Sequence, residues 1–138
     1  MARVKYDAEI MKYMALFESL TGARLKDCIV SNDGIMFIVE ENEIGKAVGR
    51  KGSNVHRISN LMKKDIKVVE FNSDIGKFIE NLIYPLKLKE FRDEEGVISI
   101  YANDSRERGM IIGRDRSRIN SIKEILSRHF KVDEIKVL

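Results

Sequence analysis

The stretch "IGKAVGRKGSNVHRIS", Ile44 to Ser59, sets Gly45, Gly49 and Gly52 among Lys46, Arg50, Lys51 and Arg57. Glycine weakens a helix and clustered like charges repel. Yet apolar residues at helical spacing, Val55, Ile58, Leu61 and Met62, follow at once. The pattern predicts a short helix over 44–48, a glycine turn, and a longer helix over 53–63 that buries those four side chains. Two glycines three apart remove β-carbons from one side of the turn, so another backbone can approach closely. Amides at the start of the second helix, together with its dipole, favour an anion in that space. The basic side chains add charge, and the whole suits a sugar-phosphate backbone. An NTPase phosphate loop would need Gly-Lys followed by Ser or Thr five residues after its first glycine, but the order here is Arg50-Lys51-Gly52-Ser53. A dinucleotide fingerprint would need glycine where Ala47 stands.

The stretch occurs twice. A shift of 64 positions lays Gly45 on Gly109, Gly49 on Gly113, Arg50 on Arg114, Ser53 on Ser117 and Ile58 on Ile122. Upstream, "DGIMFIV" matches "EGVISIY" at a shift of 62, so the second copy has two extra residues before its loop. The chain is therefore a duplication of a unit of about 65–70 residues. In the first unit Asp7 is the expected N-cap of a helix carrying Ile10, Met14 and Phe17 and stopped by Gly22, with Tyr6 and Met11 placed for a hydrophobic staple. A hairpin follows, with strands near 26–30 and 35–39 around Asn32-Asp33-Gly34, and 66–71 is the closing strand. The second unit predicts a helix over 73–84 ended by Pro85, strands near 86–91 and 97–101, helices near 105–112 and 117–130, and a strand over 134–137. Both copies read αββααβ, an α+β fold with a three-stranded sheet packed against helices, over residues 1–71 and 72–138. Only Phe71-Asn72-Ser73 separates them, too short for a flexible tether.

The remaining composition narrows the class. The 138 residues are 43% hydrophobic and 34% charged, which excludes a disordered chain. The longest strictly apolar run is Ile35 to Val39, so no membrane span or signal peptide is expected. Cys28 is alone, which excludes an internal disulfide and points to a reducing cytoplasm. Net charge is only +3, but residues 44–64 hold six Lys/Arg and no acid, and residues 105–131 hold eight against three acids. Two basic segments on an otherwise acidic protein mark two places for anions.

Val48, Gly49, Arg50, Lys51, Gly52, Val55 and Ile58, in a turn between two helices after an αββ unit, resemble a K-homology (KH) domain. Its GXXG loop clamps about four nucleotides of a single strand, and the αββααβ order is that of type II. With "MALFESLTGARLKDCIV", "IGKAVGRKGSNV" and the late "RHF" at Arg128–Phe130, the whole chain resembles the archaeal NusA family of transcription factors. The resemblance implies two tandem type II KH domains, single-stranded RNA as ligand, and a role in transcription elongation, termination or antitermination. RNA polymerase or the transcription complex is the partner it implies; bacterial relatives carry a polymerase-binding domain and an S1 domain for which this chain has no room. The RNA-binding residues carried over are Gly45, Lys46, Val48, Gly49, Arg50, Lys51, Gly52, Ser53, Asn54 and Arg57, with Gly113, Arg114, Arg116 and Arg118 in the second unit. The second loop reads Gly113-Arg114-Asp115-Arg116 and lacks the second glycine, so Arg116 is expected to obstruct backbone approach and Asp115 to repel phosphate.

Other readings compete. Ribosome assembly or RNA processing would use the same loop, and a protein-interaction module would keep the fold without the RNA. A DNA-binding helix-turn-helix places its bases-reading residues on the second helix, whereas here the turn carries the charge. An RNA-recognition motif needs stacking aromatics on its sheet, and none lies between Ile44 and Lys64. His56 and His129 lack partners at metal spacing, so both are expected at the surface or facing nucleic acid. Glu40, Glu41 and Glu43, like Asp93, Glu94 and Glu95, read as solvated acids at strand ends and turns, and Ser53 and Ser117 as helix caps. Phe17, Phe37, Phe71, Phe78 and Tyr101 are expected in the core. No catalytic constellation, metal site, cofactor or small-molecule substrate is expected.

Overall fold

The computed structural model describes residues 6–138. The chain divides between Asn72 and Ser73 into two compact units, each with its own three-stranded sheet. In the first, α1 (Ala8–Thr21) is followed by β1 (Leu25–Ser31), β2 (Gly34–Val39), α2 (Ile44–Val48), α3 (Ser53–Met62) and β3 (Ile66–Glu70). The second repeats the order with α4 (Ile75–Ile83), β4 (Glu90–Glu94), β5 (Val97–Tyr101), α5 (Ser105–Ile112), α6 (Ser117–His129) and β6 (Glu134–Val137).

In both sheets the middle strand pairs antiparallel with the first and parallel with the third: Phe37 sits opposite Cys28 and Val68, and Ile98 opposite Asp93 and Ile135. A parallel pair cannot be joined by a tight turn and needs a crossover. Here the crossover is two helices, α2–α3 or α5–α6, and the glycine turn is where each crossover reverses.

Local chemistry accounts for the ends of α1. The Asp7 carboxylate accepts the Ile10 amide at 2.8 Å, and Gly22 closes the helix at φ 71° with its N–H on the Glu18 carbonyl. Tyr6 is not a staple: its hydroxyl donates to Asp27 Oδ1 at 2.7 Å while Met11 stays 59% exposed. The core joins Phe17 of α1 to Phe37 of β2, rings stacked at 4.2 Å, with Cys28, Ile35, Val39, Ala47 and Ile58 around them. Each of the Phe, Ile and Val side chains contributes roughly 1.5–3 kcal/mol by leaving water. In the second unit Phe78 is buried, with the Phe130 ring 6.1 Å away, and its α4 neighbour Gly76 has the Phe91 ring where a β-carbon would stand.

Several expectations shift. Leu61 is 57% exposed: residues advance about 100° each around a helix, which sets Leu61 about 90° from the centre of Val55, Ile58 and Met62. Helix α4 starts at Ile75 rather than Ser73, because Asp74 caps it by accepting the amides of Gly76 and Lys77. The strand expected over 86–91 lies at Glu90–Glu94. Leu86 and Leu88 alternate like a strand, but their amides bond the Ile83 carbonyl and the Glu80 carboxylate of α4. The turn at Glu95-Gly96 then sets the register, pairing Glu94 with Val97. Phe71 and Tyr101 are only half-buried, and each lies under a cation, Lys26 and Arg92 respectively. Half-buried His129 sets its ring edge-on to Phe78 instead of facing outward.

Gly34 carries the tightest glycine requirement in the first sheet. It opens β2 at φ 142°, and a β-carbon there would strike the carbonyl of Asp65 just before β3. Gly34→Ala is therefore expected to cost at least about 2 kcal/mol, read as a lower urea midpoint with an unchanged slope. A midpoint within error of wild type would refute this account of the hairpin.

Candidate nucleic-acid interface

Helix α2 ends on Val48 and Gly49, and one turn of 3₁₀ hydrogen bonding over Arg50–Gly52 leads into α3. The turn needs three left-handed residues in a row of four: Gly49 (φ 75°), Lys51 (φ 53°) and Gly52 (φ 74°). The two glycines do different jobs. A β-carbon on Gly49 would sit 2.8 Å from Asn54 Cγ and 2.9 Å from Ser53 Oγ, so the space that Gly49 clears is filled by the protein itself. Around Gly52 the nearest atoms to an added β-carbon are those of the His56 ring at 3.6 Å, and around Gly45 nothing lies within 4 Å. Open backbone is thus found at Gly45 and Gly52.

Asn54 explains why Gly49 must be bare. Its Nδ2 donates to the carbonyl of Lys46 at 2.8 Å, stapling the start of α3 to the end of α2. Gly52, not Ser53, is the N-cap of α3, and no side chain caps the helix. Two of the turn's amides are used internally, Gly52 N–H on the Gly49 carbonyl and Ser53 N–H on Arg50. The helix start still lacks a side-chain acceptor, the arrangement that favours an anion. Arg50, Lys51 and Arg57 are exposed, and none of the ion pairs among the described residues engages them.

Lys46 differs. Its ammonium lies 3.4 Å from Glu43, whose other oxygen accepts the Arg24 amide at 2.9 Å with the Arg24 guanidinium at 3.6 Å. Glu43 is 7% exposed and joins the start of β1 to α2, so it is a buried strut rather than a solvated acid. The Arg24 amide, seconded by Lys46, holds its carboxyl below the ordinary value despite burial. The clue in the sequence is an acid directly ahead of a short helix with a lysine three residues on.

The second loop has nearly the same backbone. Gly113 (φ 76°, ψ 172°) repeats Gly49 (φ 75°, ψ 176°), and Asp115 repeats Lys51 at φ 53°, ψ 32°. Arg116 takes the place of Gly52 at φ 63°, ψ 18°, against φ 74°, ψ 15°. A residue with a β-carbon pays about 1–2 kcal/mol for that conformation; the loop adopts it all the same. Arg118 occupies the place of Asn54, with Nη1 on the Met110 carbonyl at 3.1 Å and Nη2 on the Ile83 carbonyl at 3.3 Å. Asn54 and Arg118, both expected at the ligand, thus spend donors inside the protein. Ser117, like Ser53, is the first helical residue and not a cap.

The KH domain family matches residues 11–84, running past the first unit to the end of α4. Over 99% of its length the chain is 31% identical to 80% of the "Probable transcription termination protein NusA" of Methanococcus vannielii. It is 30% identical to the protein of the same name from Halococcus morrhuae, covering 98% of this chain and 99% of that one. The chain belongs to the archaeal NusA family and contains a KH domain. A Methanocaldococcus jannaschii protein of that name is 28% identical across 100% of the chain and 77% of its own length. The crystal structure of APE1850 superposes with a TM-score of 0.77 at 28% identity, over 96% of this chain and 100% of that one.

The Glu43 strut gives a pH signature. Because its carboxyl is held below 4.5 in the folded protein, its stabilisation is complete above that value and is lost as pH falls through the lowered one. Urea unfolding of wild type and Glu43→Gln is expected to differ most at neutral pH and to converge at acid pH, once pH has fallen through the lowered carboxyl value. A difference that is the same at both pH values would show that the strut's charge contributes nothing.

Proposed function

We propose that the chain is a non-enzymatic, single-stranded RNA-binding protein acting in transcription termination, as the names of its archaeal relatives say of them. Both αββααβ units are read as type II KH domains, with the Gly49–Gly52 turn of the first as the principal contact. The supporting observation is the conjunction at this turn: unpaired Arg50, Lys51 and Arg57, an uncapped start of α3, and bare backbone at Gly45 and Gly52. A duplex presents phosphates on a rigid rod; a narrow glycine clamp suits a strand whose backbone can bend into it.

The contributions of the units can be separated. Arg50→Asp with Lys51→Asp keeps both glycines and reverses the charge facing phosphate. It is expected to abolish most binding and to flatten the salt dependence, by about 0.7 in log–log slope for each phosphate no longer neutralised. Arg114→Asp with Arg116→Asp is expected to weaken binding less, because Arg116 crowds the face that Gly52 leaves open. Equal losses in the two double mutants, titrated by anisotropy at two salt concentrations, would show that arginine forks hold phosphate without the clamp.

Gly45 offers a cleaner test, since stability and binding should move oppositely. Alanine at this helical position meets no neighbour, so Gly45→Ala is expected to stabilise the unit by about 0.5–1 kcal/mol. The same methyl group stands where the strand would pass, and RNA affinity is expected to fall. A variant that is more stable and binds equally well would clear Gly45 of any role at the ligand.

A further inference from the structure

Among the described residues of the second unit, three large apolar side chains are exposed: Tyr84 at 77%, Met110 at 41% and the terminal Leu138 at 52%. One side chain, Arg118, bonds backbone at or next to the first two. Arg118 leaves α6 against Gly113, where a β-carbon on the glycine would lie 2.9 Å from the Arg118 amide nitrogen. Its guanidinium then bonds the carbonyl of Met110 and that of Ile83, the residue before Tyr84. The backbone of Tyr84 therefore lies about one arginine side chain from the loop that carries exposed Arg114 and Arg116. In the first unit Asn54 reaches only the Lys46 carbonyl, and no aromatic lies between Ile44 and Lys64.

We propose that Tyr84 is a stacking platform for a nucleobase of single-stranded RNA whose phosphates lie on Arg114 and Arg116, with Met110 as the apolar floor beside it. The inference rests on the RNA-binding reading above. A tyrosine ring left three-quarters in water forgoes the burial that aromatic side chains usually find, and its backbone is tied through Arg118 to the loop of Arg114 and Arg116, which none of the ion pairs among the described residues engages. A base offers a π-face to the ring and a phosphate to the arginines, a combination that grooves for single strands repeatedly use. Arg118 serves as the positioning residue, since its two bonds hold the end of α4 and the end of α5 at a fixed separation. The two units would then divide the work: the first grips backbone through glycine and charge, and the second adds a base contact that its loop, lacking the second glycine, cannot replace by close approach.

The test uses the full chain and a single-stranded RNA about ten nucleotides long, carrying 2-aminopurine at successive positions. Tyr84→Ala is expected to weaken binding roughly five- to a hundredfold and to abolish the fluorescence quenching seen at one 2-aminopurine position. Tyr84→Phe is expected to retain both. The salt slope is expected to stay as in wild type, since the cations that meet phosphate are unchanged, and the thermal midpoint is expected to hold because the side chain is exposed. Wild-type affinity and quenching in Tyr84→Ala, with binding still abolished in the Arg50/Lys51 double mutant, would overturn the platform alone and leave the apolar pair to a protein partner. Failure of wild type to bind any single strand would overturn this inference together with the RNA-binding reading.

Discussion

Parallel pairing of β2 with β3, and of β5 with β6, is the constraint that the rest of each unit obeys. It forbids a hairpin and requires the chain to climb over the sheet and return. Two helices do this with little chain to spare, and α2 is only five residues long. The reversal between them must happen within four residues, which left-handed backbone at Gly49, Lys51 and Gly52 makes possible. The glycine turn is thus first a topological necessity. Its use as a binding surface follows from where the crossover puts it: at the exposed end of two helices, clear of the core.

A sharp reversal between short helices needs something to hold it. The side chain two residues after the turn does so, Asn54 on the Lys46 carbonyl and Arg118 on the Met110 carbonyl. Both approach over the bare α-carbon of the first glycine, Gly49 or Gly113. That glycine is consequently bound by the fold in both units, whereas the second glycine answers only to backbone conformation and to the ligand. Arginine in its place in the second unit shows as much. The backbone survives the substitution, and only the open surface changes.

Charge is sorted on the same principle. Lys46 is paired with buried Glu43 and belongs to the scaffold. Arg50, Lys51 and Arg57 carry no such pairing and keep their full attraction for an anion. A basic segment that looks uniform along the chain is therefore two populations, one holding α2 to β1 and one facing solvent.

The order of elements, the duplication, the limits of α2, α5 and β6, and the family were legible in the sequence, because local periodicity and glycine spacing carry them. Asp7 and Gly22 marked the ends of α1 for the same reason: caps act within one turn. Tertiary structure decided what depends on distant neighbours. Glu43 reads as a solvated acid until Arg24, 19 residues earlier, is folded against it. Leu88 reads as strand until Glu80 takes its amide. Gly49 and Gly52 are equivalent letters in a motif, and only the packing of Asn54 separates the one that serves the fold from the one left open. Sequence determines which backbone conformations are cheap; which surfaces remain uncovered is settled only when side chains remote in the chain have taken up their places.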